Sequence, residues 1–217
     1  MAKHLHDDLN KIKQQLLALG ALVEEAVKQS ILAFQNRDKA LAEKVIEQDN
    51  AIDSLEVELE ELCLKVLALQ QPVAQDLRFI AATLKINNDL ERIGDCAVHI
   101  AKRCKSLAKG PAIAIPAEIT KMSEAAQGMV HEALDAFVRM DVELAQSLAK
   151  KDDVVDECNH TIIRRMRRLM HDKPDLVDQA LDVFTATRRI ERSGDLATNI
   201  AEDVVYLVKG EIVRHKG

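Results

Sequence analysis

Apolar residues recur along this chain at alternating steps of four and three. Leu5, Leu9, Ile12, Leu16, Leu19, Val23 and Ala26 keep that rhythm without a miss. It is the seam of about 3.5 residues per turn that lets one helix pack along another. The pattern runs to Phe34 and Gln35 and stops at Asn36-Arg37-Asp38. A second seam carries Val45, Ile52, Leu55, Leu59, Leu62, Val66 and Leu69, and it ends at Gln70-Gln71-Pro72, because a proline disfavours helix in the residue before it. A third carries Ile86, Leu90, Ile93, Ala97, Ile100, Cys104 and Leu107. It gives way at Lys109-Gly110-Pro111, with glycine just past the helix end, where a C-cap wants it.

Beyond Pro116 the pattern starts again. At an offset of 100, Glu91-Arg92-Ile93-Gly94-Asp95 falls on Glu191-Arg192-Ser193-Gly194-Asp195, and 10 of the 20 positions from Glu91 to Gly110 are identical to their counterparts. Roughly one identity is expected by chance at ordinary residue frequencies. At an offset of 103, Asp49 and Asp53 fall on Asp152 and Asp156, and Phe34 on Phe137. The three-residue change of offset is absorbed between the second and third helices, near Pro72 and Pro174. The chain is an internal duplication. The spacing predicts helices over 5–36, 38–70, 74–108, 117–140, 142–171 and 175–208. Short connections make consecutive helices antiparallel neighbours. The expected fold is therefore all-α: two pseudo-symmetric three-helix bundles, over residues 1–110 and 117–210, packed end to end or side by side.

Composition strengthens this picture. The chain is 47% hydrophobic but only 2% aromatic, with seven Gly and four Pro, too few turn formers and aromatics for sandwiches or barrels. No apolar run approaches the roughly 20 residues of a membrane span. The first ten residues carry two His, two Asp and a Lys, so no signal peptide is expected. Cys63, Cys96, Cys104 and Cys158 show no CxxC pairing and lie within helical patterns, as packing cysteines of a reducing cytosol would. With 30 Lys and Arg against 36 Asp and Glu, the formal charge is −6, which gives no reason to expect a nucleic-acid partner.

The duplicated acids carry the chemistry. Asp49 and Asp53, Glu91 and Asp95, Asp152 and Asp156, and Glu191 and Asp195 are each spaced i,i+4, which sets two carboxylates about 6 Å apart on one helix face. Measured from the third seam, Glu91 and Asp95 point away from the core, while Asp49 and Asp53 flank the second seam. If those helices lie side by side, four carboxylates converge. Such pairs also occur as plain solvated faces. However, like charges at i,i+4 cost a helix a few tenths of a kcal/mol, and Gly94 and Gly194 each cost about 1 kcal/mol relative to Ala within a helix. Four such pairs and two such glycines favour a metal site. All-oxygen ligation suits Mg²⁺, Mn²⁺ or Fe³⁺, and Zn²⁺ also takes carboxylates. Histidine adds little, since His99 has Asn199 as its counterpart. Glu157-x-x-His160 occurs once, with Val57 in place of the second histidine, where a ferritin-like di-iron oxidase wants the motif twice. No Gly-rich phosphate loop or nucleophilic triad competes. The run Arg164-Arg165-Met166-Arg167-Arg168 complements a helix C-terminus, or docks on an acidic partner or an anionic membrane face.

Two segments make the sequence recognisable. QQPVAQDLRFIAATLKINNDLERIGD at 70–95 and RRIERSGDLATNIAEDVVYLVKGEIVRH at 188–215 resemble the two halves of PhoU-family proteins, and the likeness spans nearly the whole chain. The resemblance implies a non-enzymatic, cytoplasmic regulator, peripheral at the inner face of the membrane and homodimeric. It implies repression of phosphate uptake and of the phosphate-starvation response, by linking the ATPase subunit of a phosphate ABC transporter to a membrane sensor histidine kinase. It also implies multinuclear iron or zinc clusters on the surface, with Mn or Mg as alternatives. Carried over by position, the ligands would be Asp49, Asp53, Glu91 and Asp95 in one repeat, and Asp152, Asp156, Glu191 and Asp195 in the other. Ser193, where the first repeat has Ile93, departs from the seam but not from the ligand set. A di-iron oxidase and a purely structural helical adaptor remain the alternatives.

Overall fold

The computed structural model describes residues 2–210. Residue 1 of the first expected unit and residues 211–215 of the second matching segment lie outside them. Among the described residues there is no strand. Three long helices, α1 (Ala2–Asn36), α2 (Lys39–Gln70) and α3 (Ala74–Leu107), form the first bundle. The second contains α4 (Glu118–Arg139), α5 (Val142–Ser147), α6 (Ala149–Asp172) and α7 (Val177–Lys209).

The duplication reaches into the turns. Arg37 and Met140, counterparts at the offset of 103, both adopt positive φ of 54°. Each is followed by an aspartate N-cap: Asp38 accepts from the Leu41 N–H at 3.0 Å and Asp141 from the Leu144 N–H at 2.9 Å. Those caps satisfy donors that a helix start otherwise leaves orphaned.

Three expectations need correction. The predicted fifth helix, 142–171, is broken into α5 and α6 at Leu148. The Leu148 N–H bonds back three residues to the Ala145 carbonyl at 3.3 Å, a tightened turn that swings α5 against α7 while Leu148 itself is fully buried. No proline or glycine marks the break. The sixth helix starts at Val177 after a 3₁₀ turn over Pro174–Leu176, since Pro174 lacks the N–H a continuing helix would use. Leu69, placed on the second seam, is 69% exposed at the α2–α3 tip.

The bundles lie side by side. α3 and α7 make the most extensive helix contact in the molecule, and they run antiparallel: Lys85 early in α3 meets Asp203 late in α7 at 3.1 Å, and Arg103 late in α3 meets Asp182 early in α7 at 3.5 Å. α1 and α4 also meet antiparallel, where Gly20 admits Leu134; a Cβ at Gly20 would lie 2.6 Å from Leu134 Cδ1. Phe79 of α3 stacks on Phe137 of α4, with ring centroids 5.6 Å apart. One continuous apolar core runs through both bundles.

Asp203 and Asp182 are almost wholly buried, while Lys85 and Arg103 keep their charged ends partly in water. Lys85 also lies over the Tyr206 ring, 5.1 Å from its centroid. Lys85→Met takes away the ion pair and the ring contact but keeps the aliphatic stem. It should lower stability in urea unfolding by about 1–3 kcal/mol, the cost of weakening the support of a buried carboxylate.

Candidate metal centre

The eight predicted acids assemble on two helix hairpins. α2 places Asp49 and Asp53 beside Glu91 and Asp95 of α3; α6 places Asp152 and Asp156 beside Glu191 and Asp195 of α7. The glycines explain how. A Cβ at Gly94 would lie 3.3 Å from Ile52 and 3.8 Å from Asp49 Oδ1; one at Gly194 would lie 3.5 Å from Asp152 Oδ1 and 3.6 Å from Val155. The bare α-carbon thus lets the neighbouring helix bring its carboxylate alongside. This close approach offsets the helix-propensity cost of glycine.

The electrostatics register the crowding. Asp49 is held above the usual carboxylate range by burial first, then by Asp53 and Asp95, with Lys102 and His99 pulling the other way. Glu91 is raised by burial, then by Asp95, Asp53, Glu56 and Asp49. Asp152 is pushed up to about 6 by burial and by Asp195, Asp156, Asp153 and Glu191. Burial also raises Glu191, although Arg188 opposes it. Desolvation and like charge both disfavour the ionised form. A cation set among these oxygens would relieve both.

Among the described residues, no three of these side chains already stand close enough together to hold one ion. Ligation of one ion by several of them therefore requires side-chain rotation. The donor set itself fits a hard cation. The hairpins also differ from the expected geometry in detail: Asp95 is exposed, but Glu91 is half-buried against α2 rather than facing away from the core.

Two acids join the clusters that repeat-matching overlooked. Glu56 faces Asp53 and Glu91 in the first, with Asn87 Nδ2 donating to its Oε1 at 3.1 Å. Its counterpart is Asn159, so a search for duplicated acids discards it; its place one turn beyond Asp53 was the available signal. Asp153 joins the second cluster. Histidine stays peripheral: the His99 ring lies 2.7 Å from the Asp95 backbone carbonyl. Glu157 and His160 are exposed and neither belongs to the second cluster, which removes the basis for a ferritin-like di-iron site. In the basic run, Arg165 pairs with Glu118 at 2.7 Å and Arg168 with Asp172 at 3.8 Å, while Met166 is buried. All four cysteines are buried and free.

The fold and site define a class first: a helical protein of two tandem three-helix units, each with a carboxylate-faced hairpin. Comparison with known proteins then specifies the family. The sequence matches the PhoU domain at residues 16–104 and 119–204. The chain belongs to the PhoU family. A protein of Pseudomonas aeruginosa named "phosphate-specific transport system accessory protein PhoU homolog" is 39% identical over 100% of this chain and 90% of its own length. A crystal structure of PhoU from Pseudomonas aeruginosa superposes with a TM-score of 0.91 at 40% identity, covering 95% of this chain and 99% of that one. The crystal structure of the phosphate transport system regulatory protein PhoU from Streptococcus pneumoniae gives 0.90 at 31% identity, covering 96% and 99%. These relatives are named as accessory and regulatory proteins rather than as enzymes.

Asp152 generates a pH test. Burial and the neighbouring acids push Asp152 up to about 6, above the ordinary aspartate value, so the folded chain holds this proton more tightly than the unfolded one. Stability contributed by the protonated form is therefore lost as pH rises through 6. Asp152→Asn, measured in chelator, should raise the melting temperature at pH 7.5, and that gain should vanish near pH 4.

Proposed function

We propose that this chain is a negative regulator of phosphate uptake and of the phosphate-starvation response, acting at the inner face of the membrane. It contacts the ATPase subunit of a phosphate ABC transporter and a membrane sensor histidine kinase, functions as a homodimer, and carries a multinuclear iron or zinc centre on each hairpin. The observation that carries this reading is the full-length likeness to proteins named for phosphate-specific transport and its regulation. Among the described residues no helix is long and apolar enough to cross a membrane, in keeping with peripheral attachment. Leu69, Val73 and Leu77, exposed around the α2–α3 tip, offer apolar surface for a partner.

The chain's own residues define what a bound cation would do. Asp49, Asp53, Glu91 and Asp95 would hold it in the first repeat, and Asp152, Asp156, Glu191 and Asp195 in the second. The cation supplies positive charge that offsets carboxylate repulsion. α2 is thereby tied to α3, and α6 to α7, so the hairpin faces stiffen where a partner could read them.

Binding confined to the folded state stabilises it by mass action, about 2.7 kcal/mol when free ligand is a hundred times Kd. The melting temperature of the wild type should rise with Fe³⁺, Mn²⁺ or Zn²⁺. Asp53→Ala with Asp95→Ala should lose the first repeat's share while keeping the helical circular dichroism spectrum. An equal response of wild type and variant to every metal would make the acids a solvated face. In cells, deleting the gene should leave phosphate uptake and its transcriptional response active in phosphate-rich medium. Unchanged uptake and transcription would overturn the regulatory reading.

A further inference from the structure

Resting on that metal-binding reading, we propose that the two carboxylate clusters are unequal cation sites, the second being held back by two built-in counter-ions, Arg188 and Arg192. Arg92 and Arg192 are counterparts in the duplication, yet they turn in opposite directions. Arg92 reaches back one turn to Asp89, with 3.6 Å between the charged atoms, and so leaves the first cluster. At the position equivalent to Asp89 the second repeat has Arg189. Arg192 therefore has no acid behind it, and it turns forward to Asp195 at 3.1 Å.

A second exchange compounds the first. Arg188 stands where the first repeat has Asn88 and reaches Glu191 Oε1 at 2.7 Å. The same oxygen accepts from Asn159 Nδ2 at 3.3 Å. Two predicted ligands of the second repeat are thus engaged by guanidinium groups, which do not deprotonate. In the first repeat, among the described residues, no Lys or Arg forms an ion pair with Asp49, Asp53, Glu91 or Asp95. Each cluster has one further acid, Glu56 in the first and Asp153 in the second, so the arginines alone set the two apart. At the first cluster an entering cation meets only Lys102 and His99, which act on Asp49 without an ion pair, whereas at the second it must displace both arginines or bear their repulsion. Exposed ion pairs are individually weak, so the two together are expected to hold back cation affinity on the order of tenfold, and cations displace them at higher concentration.

Mn²⁺ titration of the full chain, read by the electron paramagnetic resonance signal of free Mn²⁺, tests this. The wild type should show two classes of site. Asp53→Ala with Asp95→Ala should remove the tight class, and Asp156→Ala with Asp195→Ala the weak one. Arg188→Gln with Arg192→Gln should tighten the weak class roughly tenfold and leave the tight class where it was. Arg92→Gln, which disturbs only the pair with Asp89, should move neither. Should the double arginine variant fail to fold, each single variant should give part of the gain. A single class spread equally over both clusters, or a weak class unmoved by losing either arginine, overturns the proposal. A wild type that takes up no Mn²⁺, Fe³⁺ or Zn²⁺ overturns the metal reading before any arginine variant is made, and this proposal with it.

Discussion

α3 and α7 lie antiparallel along most of their length, and that contact sets what every other element can do. Each is the last helix of its bundle, so each must cover its own α1–α2 or α4–α6 partners on one flank and the opposite bundle on another. This double duty explains why both helices bury residues on more than one face and why their buried polar residues are so constrained. Ser193 is 1% exposed; it donates to the Arg189 carbonyl at 3.0 Å and faces the buried Cys96 thiol across the bundle interface. Asp182 and Asp203 are tolerated because cations reach them from the rim. The carboxylates stand along the edge of the face that each of these helices leaves to solvent.

The same constraint shapes the sites. A helix packed on two sides can approach a third neighbour only where side-chain bulk is removed, and Gly94 and Gly194 remove it where Asp49 and Asp152 need room. The cost of like charge is accepted at the one place where helices pass closest. The raised pKa values of Asp49, Glu91, Asp152 and Glu191 follow from that approach, since burial leads the causes in every case.

The seam residues and the duplication made the helices, the two bundles and the paired hairpins legible, because apolar periodicity and repeat identity are local properties of a sequence. Other features arise from tertiary contact. The break at Leu148 comes from α5 bending onto α7, with no punctuating residue to announce it. Ser193 reads in the sequence as a lost seam position, but its partner Cys96 belongs to the other bundle. Glu56 was hidden because its counterpart is Asn159, so matching by repeat discarded what matching by helix turn would have kept. The opposite turning of Arg92 and Arg192 depends on what lies three residues to either side, which identity at the arginine itself conceals.

The rim charges of the central seam also decide which half can recognise which. Position 103 corresponds to 203 and position 82 to 182. Two copies of the first half, joined in the same way, would therefore bring Lys85 opposite Arg103, and Arg103 opposite Ala82. Two copies of the second half would set Asp203 against Asp182, two carboxylates in an apolar wall. Only the mixed pairing places opposite charges together. Whatever self-matching ancestor the duplication began from, its descendants have become complementary rather than alike. A lone half emerging from the ribosome is thus biased against its own kind and towards the sibling that follows it on the same chain.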